Sequence, residues 1–233
     1  DVVSGAANEI CGDLRLSAAD RLRYLFRNAC RNLSSLGRGP KTRAFRPDLR
    51  RADAAMSGQS PGRLQTELFI ESELPKLLPP RPLEVLEIGC GAGTMRYRLA
   101  RLGYSGRYTG VDIQDRFRRD SSGGQPFEVE FYLTDAHIFV PARPVELLFS
   151  NSTLEHVPND RKLIERLPQF FAPGGVELQV VPSGSSLASY LWHGYRQYTP
   201  ASLVERFGER IEIVRGASLE ARPGAVLALC GPN

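Results

Sequence analysis

The stretch Val85-Leu86-Glu87-Ile88-Gly89-Cys90-Gly91-Ala92-Gly93-Thr94 constrains this chain more than any other. An apolar run reaches an acidic residue and breaks at once into three glycines at alternate positions. Such a run reads as a buried strand, and the pattern from Thr94 onward reads as a helix start, so the glycines occupy the turn between them. Glycine there admits positive φ and lets a ligand reach the backbone where a Cβ would block it. A strand feeding a helix through such a bend is the opening unit of a parallel α/β sheet, which binds ligands at the carboxyl ends of its strands. Taken alone, the stretch is equally compatible with any tight strand-to-helix turn.

Spacing narrows the ligand. A dinucleotide fingerprint runs Gly-x-Gly-x-x-Gly and leaves room for a pyrophosphate at a helix amino end. Here the pattern is Glu87-x-Gly89-x-Gly91-x-Gly93, with a carboxylate just before the loop. An acidic side chain suits a ligand bearing an amino group and a sulfonium better than one bearing two phosphates.

Further strand candidates follow. Arg107 to Ile113 ends in Asp112, 23 residues after Gly89, where an acid accepts hydrogen bonds from ribose hydroxyls in sheets of this type. Val129 to Thr134 closes with Asp135-Ala136. Val145 to Ser150 leads into Asn151-Ser152-Thr153-Leu154-Glu155-His156-Val157. Val176 to Val181 follows the turn Ala172-Pro173-Gly174-Gly175. In content and order these segments resemble the motifs of the class I S-adenosylmethionine (SAM) dependent methyltransferases, from about Arg63 to the end of the chain.

The resemblance implies a Rossmann-like α/β fold with a seven-stranded sheet, order 3-2-1-4-5-7-6 and strand 7 reversed. It implies SAM as cofactor. Glu87 and the Gly89, Cys90, Gly91 and Gly93 backbone would face the methionine and ribose end, and Asp112 with Ile113 the ribose side. Asp135 and Ala136 would take the adenine, with Ser150 and Asn151 beneath the methyl group. Cys90 itself reads as a small residue that fits the turn, and the cap of a turn is the lesser reading of Asp135.

The chain divides into a basic helical extension and linker, 1–62, and the methyltransferase domain, 63–233. Ser17 to Leu36 places Leu22, Leu25, Phe26, Ala29, Leu33 and Leu36 on one helical face, with Arg21, Arg23, Arg27 and Arg31 opposite. That apolar face must be buried, and the expectation is that it covers the acceptor site. Arg38 to Gly62 lacks a period and reads as a linker. Helices are expected over Arg63–Lys76, ended by Pro75 and the prolines after it, and over Thr94–Leu102, Asn159–Phe171 and Ala201–Phe207. Asn159 can cap the third, and Pro168 shortens it. The strands Ile211–Val214 and Ala225–Leu229 are joined by ten residues, and a parallel crossover usually takes a dozen or more, so they should pair antiparallel.

No apolar run approaches the ~18 residues that span a bilayer. The cysteines Cys11, Cys30, Cys90 and Cys230 have no paired spacing for zinc or a disulfide frame, so a reduced, cytoplasmic setting is the default. The net charge of +4 rests almost wholly on arginine, a bias that genome composition produces as readily as phosphate binding.

If the acceptor is a hydroxyl, a base must take its proton, and histidine suits neutral pH. His137 reads as structural, while His156 and His193 are the candidates. Trp192, Tyr195 and Tyr198 lie in the segment that lines the acceptor pocket in relatives, although such aromatics also serve as packing. The chain lacks the features of amino methylation of DNA bases, cytosine C5 methylation, metal-assisted catechol methylation and arginine methylation. A small-molecule, lipid or sugar hydroxyl remains. The alternatives are an RNA methyltransferase that uses the Arg15–Arg51 stretch on phosphates, and a non-catalytic SAM-binding protein. No lysine lies four residues after a tyrosine, which excludes a short-chain dehydrogenase.

Overall fold

The computed structural model describes residues 61–119, 126–182, 196–208, 211–215 and 226–231, with short stretches between residues 17 and 50. The strands are β1 (Arg43–Ala44), β2 (Pro82–Ile88), β3 (Ser105–Asp112), β4 (Phe127–Leu133), β5 (Val145–Asn151), β6 (Phe171–Pro182), β7 (Ile211–Arg215) and β8 (Val226–Gly231). They form one sheet in the order β1-β7-β8-β6-β5-β2-β3-β4, and each neighbouring pair is parallel. The helices are α1 (Pro61–Leu77), α2 (Met95–Arg101), α3 (Asp160–Arg166) and α4 (Pro200–Phe207).

Both sheet faces are covered, which is why the central strands read as continuous apolar runs. On one face Val85, Leu147, Phe149 and Leu178 meet Leu68, Phe69 and Leu74 of α1 and Leu99 of α2. On the other, Leu86, Ile88, Leu148 and Val181 meet Leu163 and Ile164 of α3 and Leu203 and Phe207 of α4. Alternate residues of one strand therefore serve two separate cores.

The expected strand order holds from β4 across to β7, but the reversal does not. β8 lies parallel to both β6 and β7. Ten residues reach up to about 33 Å, enough to return along a five-residue strand of ~17 Å.

Three local expectations are also corrected. The segment read as a linker supplies the edge strand β1, and Phe45 is buried edge-on against Phe69 at 5.4 Å. Pro75 does not end its helix, because a proline in the last turn removes a single bond and Leu78 N still donates to Leu74 O at 2.9 Å. Ala172–Gly175 belongs to β6 as an irregularity, where pairing jumps from Val145↔Phe171 to Leu147↔Val176. Asn159 caps α3 as expected, and beyond Arg166 the helix tightens into a 3₁₀ turn, Leu167–Phe170, containing Pro168.

In the amino-terminal segment, residues 18–19, 22–23, 26–27 and 29–30 are helical. Leu22 and Phe26 are exposed, contrary to the expected burial of that face. Periodicity identifies an apolar face but not its partner.

Candidate active site

The turn after β2 is built as its glycines suggest. Gly89, Gly91 and Gly93 have φ of 70°, 52° and 69°. Gly89 N and Cys90 N both donate to Val111 O of β3, at 2.8 and 3.1 Å, which fastens the turn to the next strand tip. A Cβ on Gly89 would lie 2.2 Å from Thr153 Oγ1, so the loop after β5 packs directly on the turn. A Cβ on Gly91 would meet nothing within 4 Å, so here the backbone is open to an approaching group.

Asp112 ends β3 and faces this opening. One carboxylate oxygen accepts the Gly91 amide at 2.8 Å and the other accepts the Gln114 amide at 2.9 Å. It thereby joins the glycine turn to the loop after β3 and keeps lone pairs for hydroxyl donors. Ile113, just beyond, and Leu133 at the tip of β4 are exposed, at 58% and 57%.

Glu87 precedes the turn from inside the fold. Its side chain is buried, and the Tyr108 hydroxyl donates to Glu87 Oε2. Burial pushes its carboxyl up to about 8; the Tyr108 bond opposes this, Asp112 adds to it, and Arg96 opposes it again. Glu87 therefore lies beneath the turn, with one oxygen held by Tyr108. Cys90 is buried beside it, and burial raises its thiol pKa, so it packs as expected of a small residue in the turn.

Arg96, on α2, is the group that sequence reasoning missed. It is 4% exposed. Nη1 donates to Gly93 O at 2.7 Å, and Nη2 to Arg118 O at 2.6 Å and to the Tyr97 hydroxyl at 2.5 Å. The guanidinium also lies over the Phe131 ring, 5.3 Å from its centroid. The signal was an arginine at a core-facing helix position, two residues beyond Thr94.

Ser150 is wholly buried on β5, opposite Ile88 and Gln179, so it lies under the strand tip and not at its surface. Asn151 is half-buried at the tip, and its carbonyl accepts Thr153 Oγ1 at 3.2 Å. Ser152 takes φ of 52°, and its amide donates to Val180 O of β6 at 2.9 Å. His156 follows in a short 3₁₀ turn, with its amide on Thr153 O at 2.8 Å.

Asp135 does cap a turn: its Oδ1 accepts the His137 amide and ring Nδ1, each at 2.8 Å. Burial opposes ionisation, but these two bonds prevail and hold its pKa below the ordinary value. The other ring nitrogen of His137 lies 3.0 Å from Asn159 O, so this histidine is structural as expected. Ala136 packs against the second core.

Tyr198 is corrected from pocket wall to core. Its ring is 0% exposed and its hydroxyl donates to Asp160 Oδ2 at 2.8 Å. Nearby, the buried Arg196 donates to Val157 O at 2.5 Å and Pro158 O at 2.6 Å, clipping the loop after β5. Trp192, His193 and Tyr195 lie outside the described residues. Among the described residues no His/Cys/Asp/Glu group could hold a metal ion, and no helix is long and apolar enough to cross a membrane.

A methyltransferase domain family model matches residues 63–221. The chain is similar to trans-aconitate 2-methyltransferase of Streptomyces avermitilis, 31% identical over 123 residues that cover 48% of this chain and 44% of that protein. The same-named protein of Azoarcus sp. (strain BH72) is 32% identical over 92 residues, 40% of this chain and 36% of the relative. The chain thus spans less than half the length of these relatives. Among solved structures it is similar to an S-adenosylmethionine dependent methyltransferase from Mesorhizobium loti, at 24% identity and TM-score 0.35, over 44% of this chain and 48% of the other.

Proposed function

Because the chain belongs to the SAM-dependent methyltransferase superfamily, we propose that it transfers the cofactor's methyl group to an oxygen of a small-molecule acceptor. The observation that carries this reading is the open Gly91 backbone, facing a strand-tip carboxylate, Asp112, whose two oxygens already hold both flanking loops. That cradle fits SAM: an uncrowded turn for the methionyl end, an acid for the ribose hydroxyls, and apolar Ile113 and Leu133 at the rim for a base. Asp135 and Ala136 would border the adenine.

When bound, SAM supplies a methyl group activated by a positive sulfonium, and its displacement discharges that cation. The protein's part is chiefly positional. Asp112 would hold the nucleoside, the glycine turn would receive the methionyl end, and Asn151 with the Ser152–Val157 loop would border the acceptor. For a hydroxyl acceptor, His156 or His193 would take the proton. For a carboxylate acceptor no base is needed, and the relatives' name, which specifies trans-aconitate, favours this second reading. Domain 63–233 would carry the chemistry, with 1–62 as an extension.

Calorimetric titration with S-adenosylhomocysteine (SAH) tests the cofactor reading, and absence of heat with folded protein would overturn it. For the acceptor, methyl-labelled SAM would be incubated with lysate fractions separated into small-molecule, lipid, glycan, RNA and protein pools. Label in an alkali-labile small molecule identifies a carboxylate, alkali-stable label that mass spectrometry locates on an ether oxygen identifies a hydroxyl, and label on nitrogen, sulfur or carbon, or in RNA, refutes the reading.

A further inference from the structure

We propose that Arg96 is a positioning residue for the cofactor: its guanidinium ties the glycine turn to the loop after β3 and so sets the affinity for SAM. This rests on the reading of that turn as the cofactor cradle.

Two loops must keep a fixed separation for the cradle to exist. Asp112 ties them at the front through the Gly91 and Gln114 amides. Behind them the ties are to carbonyls, which require a donor. Ala92 O accepts the Arg118 amide at 3.2 Å, and Arg96 Nη1 approaches the same oxygen at 3.4 Å. From one buried planar group, Arg96 then reaches Gly93 O on the first loop and Arg118 O on the second. Only a guanidinium offers several donors in a rigid fork of that breadth; a lysine ammonium is a compact point charge on a flexible stem.

The surroundings suit the cation and restrict its motion. It lies between the Tyr97 ring, 4.3 Å to the centroid, and the Phe131 ring, which itself stacks on Phe117 of the second loop at 4.8 Å. Phe117 is buried, so ring and guanidinium hold the same loop by different means. Gly93 is required for this fit, because a Cβ there would lie 2.8 Å from Arg96 Nη1 and 2.5 Å from Phe131. The turn's third glycine thus makes room for the tie as well as for the bend.

The test is SAH titration of the full chain, wild type against Arg96→Met and Arg96→Lys, well below each variant's melting temperature. The expected result is at least a tenfold loss of SAH affinity in both, with Arg96→Met recovering several-fold in millimolar methylguanidinium and not in methylammonium. A purely structural role would lower the melting temperature and leave affinity in the folded fraction unchanged. That result overturns the inference, as does a loss that methylguanidinium fails to restore in folded Arg96→Met. Should Arg96→Met not fold, Arg96→Lys decides, and wild-type affinity in it counts against the proposal. No binding by the wild type would instead refute the cofactor reading.

Discussion

Glu87 and Asp112 end neighbouring strands on either side of one turn, yet their surroundings divide their work. Asp112 keeps oxygens at the surface of the cradle, whereas Glu87 is enclosed with Tyr108 beneath it. Replacing Asp112 with Ala should weaken SAH binding by roughly 1–3 kcal/mol, the cost of losing charge-assisted hydrogen bonds, read by calorimetry. Unaltered affinity would remove Asp112 from the site. Glu87 is tested by pH. Its folded pKa, about 8, lies above its ordinary value, so between about 4.5 and 8 the folded state holds more protons than the unfolded one. Its contribution to stability is therefore complete below that window and lost as pH rises through it, with a slope of at most ~1.4 kcal/mol per pH unit. Urea unfolding of Glu87→Gln across pH 5–9 should lack this decline, and identical slopes in the two proteins would refute it.

At the scale of elements, the loop after β5 is determined by groups far along the chain. Asp160, the first residue of α3, accepts the Tyr198 hydroxyl and Arg206 Nε at 2.8 and 2.7 Å, while Arg196 lies 3.3 Å from its other oxygen. Arg196 then clips the loop that rests on Gly89 through Thr153. Replacing Asp160 with Asn removes the carboxylate shared by buried Arg196 and half-buried Arg206 and should cost about 3–5 kcal/mol of stability, measured by denaturant unfolding. A loss under about 1 kcal/mol would show that the cluster is solvated. Here the sequence was only partly legible. Asn159 as cap and Pro168 as breaker act within four residues, and both were readable. Thr199 and Ser202 form a capping box at α4 that was equally local and went unnoticed. Arg196 reaches carbonyls some forty positions away, and Tyr198 read as a pocket aromatic because composition does not tell a ring that lines a cavity from one that fills it. The glycine turn was legible because backbone conformation depends on the residue itself, and Arg96 was not, because its role depends on two carbonyls from different loops.

The whole molecule is a parallel sheet with a core on each face, and its weakest boundary should be the β1 edge. A two-residue strand brings few ladder bonds, so the edge depends on Phe45, buried against Phe69 of α1. Charge and spacing gave no sign of this strand, because a segment rich in arginine, glycine and proline has no period, and two residues suffice to pair with β7. Function should be insulated from that edge. In the sheet order β1 stands five strands from β2, about 24 Å at ~4.8 Å per strand, beyond the range over which packing changes usually couple. Phe45→Ala should then destabilise the protein toward the lower end of the ~3–5 kcal/mol typical of buried phenylalanine, since a sheet edge can partly close the gap. SAH affinity in the folded protein should stay within about twofold of wild type. Unfolding and titration on the same preparation separate the two quantities. A large loss of affinity would mean that the edge supports the cradle itself, and an unchanged stability would mean that β1 is not held by Phe45.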